Sequence, residues 1–114
     1  MKSEFLYLHH IRERCERIAE CVRAGRGTFL SDVVYQDAVL RNLEVIGEAA
    51  KRISAEMRAQ LPAVDWRRIG GLRDVIIHDY PSVELETVWI IASRDVPTLL
   101  ETLNHFLRER GQLP

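Results

Sequence analysis

A chain of 114 residues can hold one hydrophobic core but not two, so a single domain spanning 1–114 is expected. With 46% hydrophobic and 29% charged residues it has a soluble, globular composition, and no apolar run approaches the roughly 20 residues of a membrane helix. The net charge of -1 excludes a global field that would hold the protein on a polyanion, and leaves only a local basic site for such contacts.

The N-terminal residues Met1-Lys2-Ser3-Glu4 lack the apolar core of a signal peptide, so a cytoplasmic location is expected. Apolar residues at Phe5, Leu8, Ile11, Cys15, Ile18 and Val22 recur at three-four spacing and form one stripe of a first helix. Gly25-Arg26-Gly27 ends it. Asp32 is placed to cap a second helix, long and striped by Tyr35, Val39, Leu43, Ile46, Ala50, Ile53 and Met57, that closes near Leu61-Pro62.

Asp65 is a candidate N-cap for a third helix, which starts at Trp66, passes the weak spot Gly70-Gly71 and ends around Tyr80, because Pro81 disfavours helical geometry in the residue before it. Ser82 can cap a fourth helix carrying Leu85, Val88, Trp89 and Ala92. Pro97 then kinks that helix or opens a fifth, made amphipathic by Leu100, Leu103 and Leu107. No alternating run of strand length appears, so the fold expected is an all-α antiparallel bundle of four or five helices.

The segment Arg73-Asp74-Val75-Ile76-Ile77-His78-Asp79-Tyr80 departs from ordinary helix patterning. It gathers a permanent cation, a titratable imidazole and a phenol at a helix end. Asp74 and His78 are i,i+4 neighbours, and a carboxylate there fixes the tautomer of the imidazole and raises its pKa. Arg73 lies about 140° around the helix from His78, so one regular helix does not converge the two groups. A two-fold dimer that brings the patch onto itself would pair two arginines with two histidines, which suits a phosphodiester. The plainer alternative is a histidine favoured by the helix dipole and an arginine paired at the surface.

Other candidates are weaker. Cys15 and Cys21 match neither a redox pair nor a zinc half-site and read as reduced, small core residues. His9 and His10 fall on different helix faces and His105 stands alone, so no metal site is expected. Glu44 and Glu48 read as surface partners of Arg41 and Lys51, although Asn42 and Glu48 could line a dimer cleft. Trp66, Trp89 and Phe106 read as core or interface anchors.

The octapeptide matches, without a gap, the Arg-x-x-x-x-His-x-Tyr signature of the HepT-like branch of the HEPN superfamily, small all-α proteins of minimal toxin-antitoxin modules. The chain resembles that branch also over residues 37–51 (DAVLRNLEVIGEAAK) and over 66–72 (WRRIGGL). The resemblance implies a homodimeric, metal-independent ribonuclease without a cofactor, whose site at the dimer cleft uses Arg73 and His78 with Asp74 in support. It also implies a cognate nucleotidyltransferase antitoxin of the MntA type that adds AMP to Tyr80. The alternative it leaves open is a non-catalytic module that binds a nucleotide or presents substrate to the transferase.

Overall fold

The computed structural model describes residues 2–79 and 84–114, with the side chains of residues 2–4 and 73–79 outside that description. The described residues are helical with no strand. In chain order they form α1 (Lys2–Arg23), α2 (Arg26–Ser31), α3 (Val33–Ala50), α4 (Ala55–Ala59), α5 (Trp66–Asp79) and α6 (Leu85–Ile90), then a π-helical turn (Ile91–Asp95) and α7 (Val96–Glu109). None of the described helices is long and apolar enough to cross a membrane.

The three-four stripe of α1 is the floor of the core. Leu8, Ile11, Cys15 and Ile18 are completely buried, and they pack against α3 and α7. Val39, Leu43, Ile46 and Ala50 give α3 the matching stripe, while α7 closes the core with Leu103, Phe106 and Leu107. Each of the valine, leucine, isoleucine and phenylalanine side chains among them stabilises the fold by roughly 1.5–3 kcal/mol through its removal from water. Trp66 is buried as expected of an anchor, and the half-buried Trp89 lies against Phe29 with ring centroids 5.6 Å apart.

Three boundaries differ from the sequence reading. Gly25 does end α1, but its positive φ of 94° turns the chain directly into the short helix α2, whose Phe29 is buried. The long second helix is instead two helices, because α3 stops at Ala50 and Ser54 caps the separate α4 through Met57 N–H at 3.1 Å. Arg58 of α4 folds back and donates to the carbonyls of Ala50, the last residue of α3, at 2.8 Å and of Ile53, in the turn after it, at 3.1 Å, which brings a cation to the negative dipole end of α3. Ile53 and Met57 stay buried through the break, so the apolar stripe continued in sequence although the helix did not.

The third difference lies around Pro97. Pro97 stands in the first turn of α7, as one of the two expected alternatives had it, but the new helix follows α6 without a loop, through the π turn. A proline cannot donate to the carbonyl four residues back, and a wider turn accommodates that missing bond. At the other end of this unit α6 starts at Leu85 with Glu84 in the N-cap position and no side-chain cap, and Ser82 lies outside the described residues. The expected caps at Asp32 and Asp65 are present, accepting from Val34 N–H at 2.9 Å and Arg68 N–H at 3.1 Å.

Candidate active site

The helix that carries the octapeptide is fixed firmly at its start. Asp65 caps it, Trp66 is sunk into the core, and the Arg58 guanidinium that closes α3 also sits 5.9 Å from the Trp66 ring. One arginine therefore ties the end of α3 to the beginning of α5. Further along, buried Gly70 lies beside the aliphatic stem of Lys51, and Ile69 and Leu72 pack against the core. With Lys51 level with Gly70, and Leu43 and Ile46 lining one groove with Ile69 and Leu72, α5 runs back along α3.

Arg73, Asp74 and His78 all belong to α5, so the expected helical spacing between them holds at the level of the backbone. From Gly70 to His78 the helix advances about 12 Å, alongside the second half of α3. The side chains of Arg73, Asp74 and His78, and the whole of Tyr80, lie outside the described residues.

The other face of the same half of α3 meets α1 in a polar cleft of about 230 Å³. Tyr7, His10 and Arg14 come from α1; Arg41, Val45, Glu48, Ala49 and Arg52 come from α3 and the turn after it. Helical periodicity produces most of this wall, since 41, 45 and 48 fall on one stripe of α3, offset from the core stripe at 39, 43, 46 and 50, and Arg52 joins them from the turn after the helix. Arg14 Nη1 donates to Asn42 Oδ1 at 3.2 Å, and Asn42 Nδ2 donates to the Ala38 carbonyl at 2.7 Å. Asn42 is thus buried and supports the cleft from beneath Arg14, whereas Glu48 is exposed and lines it directly. Arg52 lies 5.9 Å from the Tyr7 ring, and Tyr7 meets His10 edge-on at 6.5 Å. Arg41 pairs with Glu44 at 3.1 Å, the i,i+3 contact expected of it.

The sequence reading did not find Arg14, Arg52 or Arg58. Arg14 meets Asn42 across 28 residues, a contact that local patterning does not encode. The only available signal was that Tyr7, His10 and Arg14 occupy one flank of α1 at three-four spacing. Burial pushes the Cys15 thiol up to about 12, with the Glu16 carboxylate adding to the effect, and Cys21 is raised by burial and then by Glu20. Both thiols are free and Cys15 is a core residue, as expected. Among the described residues no three His, Cys, Asp or Glu side chains gather as ligands for a metal ion.

Comparison with known proteins places this arrangement. Residues 11–106 match the family model described as "Ribonuclease HepT-like". A protein of Caldanaerobacter subterraneus subsp. tengcongensis named "Putative RNase" is 34% identical over 110 residues, covering 96% of this chain and 98% of that one. A "Probable ribonuclease HepT" of Thermococcus cleftensis is 38% identical over 94 residues, covering 82% of this chain and 86% of its own. A "Gamma-glutamylcyclotransferase and putative RNase" of Methanocaldococcus jannaschii is 33% identical over 109 residues, covering 95% of this chain and 49% of that longer protein. No solved structure matches significantly. With most of its length matched by the family model, and full-length similarity to a relative, this chain belongs to the HepT-like ribonuclease family.

Proposed function

We propose that the chain is the RNA-cleaving toxin of a toxin-antitoxin pair, acting as a homodimer with Arg73 and His78 as its catalytic residues. The observation that carries this reading is the Arg73-to-Tyr80 segment on α5 of a HepT-like chain. His78 takes the proton of a ribose 2′-hydroxyl, the freed oxygen attacks the adjacent phosphorus, and the bond to the 5′-oxygen breaks as that oxygen receives a proton from an imidazolium. The guanidinium of Arg73 holds the non-bridging oxygens while negative charge builds on the phosphorane. Asp74, one turn from His78, keeps the imidazole oriented. This scheme moves protons between protein and RNA alone and calls for no metal ion or cofactor.

The 140° between Arg73 and His78 on a regular helix supports a composite site in which two copies face each other. Asn42 and Glu48 belong to the part of α3 beside that site. A nucleotidyltransferase antitoxin neutralises the toxin by adding AMP to Tyr80, placing bulk and negative charge where RNA phosphate must bind. Replacement of His78 or Arg73 by alanine is expected to lower RNA cleavage by roughly 10²–10⁴-fold while the helical circular dichroism and the oligomeric mass stay unchanged. Wild-type cleavage by both variants would refute the assignment. Tight binding of ATP together with intact RNA would favour the non-catalytic, nucleotide-binding alternative, which the arginines of the polar cleft make physically reasonable.

A further inference from the structure

The polar cleft between α1 and α3 has a charge pattern that the fold itself does not require. Arg14, Arg41 and Arg52 converge on it against one carboxylate, Glu48, in a chain whose net charge is -1. Arg41 is balanced by Glu44, but the described contacts of Arg14 and Arg52 are with uncharged groups, an amide and a phenol ring. Arg14 is also half-buried, so its guanidinium has lost part of its water, and its partner among the described residues is the uncharged amide of Asn42. A cation in that state gains most from a ligand that brings charged oxygens.

We propose that this cleft is a phosphate-binding subsite that seats the backbone of single-stranded RNA, with Arg14 and Arg52 contacting phosphodiesters and Tyr7 offering its ring to a neighbouring base. The inference rests on the ribonuclease reading above and supplies its substrate track. From Arg41 to Glu48 the wall extends about 10 Å along α3, and Arg52 follows in the turn beyond it, which suits a string of singly charged phosphates rather than one compact polyanion. Glu48 reinforces that choice, because a carboxylate at the wall penalises the concentrated charge of a free triphosphate more than a spaced one. A ring beside a guanidinium is the usual composition of a sequence-tolerant single-strand site. The strand would leave the cleft along the half of α3 on which the Arg73-to-His78 helix packs.

The test uses the full-length protein and a fluorescent single-stranded 2′-O-methyl oligonucleotide, which lacks the attacking hydroxyl, so that binding is read without cleavage. Arg52→Ala and the Arg41→Ala/Arg52→Ala double variant are exposed changes that leave the core intact; Arg14→Ala serves as a third, checked for folding by thermal melting because it also releases Asn42. Arg52→Ala is expected to weaken binding roughly tenfold and to flatten the plot of log affinity against log salt by about 0.7, with Arg52→Lys retaining the salt slope. Unchanged affinity and slope in the folded double variant would overturn the proposal. So would ATP binding more tightly than the oligonucleotide through the same arginines, which would make this a nucleotide pocket. The two readings fail separately: RNA cleavage with arginine-independent binding removes the subsite alone, and arginine-dependent binding without any RNA cleavage removes the ribonuclease assignment alone.

Discussion

Helix α3 walls two depressions of almost equal size with opposite chemistry. On one flank, against α5 and α7, a groove of about 220 Å³ is lined by Leu43, Ile46, Ile69, Leu72 and Leu99, with the Arg68–Asp95 ion pair at its edge. On the other flank, against α1, the cleft of about 230 Å³ carries arginine, histidine and tyrosine over the buried amide of Asn42. A rotation of one or two residues around a single helix separates the two. The difference teaches that α3 has two jobs: its apolar stripe holds the helix bearing the octapeptide, and its polar stripe, on the other flank, lines the cleft with α1.

The largest effect expected of breaking this division is on the apolar side. Leu43 is almost fully buried, and Leu43→Ala should destabilise the fold by roughly 2–5 kcal/mol, read as a lower urea midpoint with an unchanged slope. The folded fraction of that variant should still bind RNA, since nothing in the polar cleft is removed. On the polar side, Asn42→Ala removes the acceptor of Arg14 and leaves the guanidinium without its amide partner. A loss of about 1–3 kcal/mol is expected in the same urea measurement.

The smallest effect sharpens the contrast from within α1, whose apolar face contains Cys15. Unfolded, this thiol ionises near its ordinary value of 9.0; folded, burial and then Glu16 hold the proton until about 12. Above the ordinary value the unfolded chain binds fewer protons than the folded one, so stability is full below that value and falls as pH rises towards 12. Between pH 9 and 10 the loss should be about 1 kcal/mol relative to Cys15→Ala, read by denaturation at each pH.

Local physics made much of this architecture readable. The stripe of α1 was correct at Leu8, Ile11, Cys15 and Ile18, and the caps at Asp32 and Asp65 were visible because a short acceptor side chain preceded an apolar-periodic run. The division of the long helix at Ala50 was not readable, because Lys51-Arg52-Ile53-Ser54 contains no proline or glycine and the apolar phase persists to Met57. The end of α3 goes with a contact that local patterning does not show, the return of Arg58 onto the carbonyls of Ala50 and Ile53. The octapeptide was found because its residue types are unusual for a helix end. The polar cleft was missed because Arg14, Asn42 and Arg52 look like ordinary surface residues until α1 lies across α3.

In the proposed dimer, one guanidinium and one imidazole from opposing copies of α5 act on the same phosphate. The most direct test of this co-refolds Arg73→Ala and His78→Ala chains, each inactive alone, and measures cleavage of a single-stranded RNA by the mixture. Random pairing makes half of the dimers mixed, each with one site that combines an intact arginine and an intact histidine, so recovery of about a quarter of wild-type activity is expected. A mixture of exchanged dimers as inactive as either variant alone would contradict the shared site.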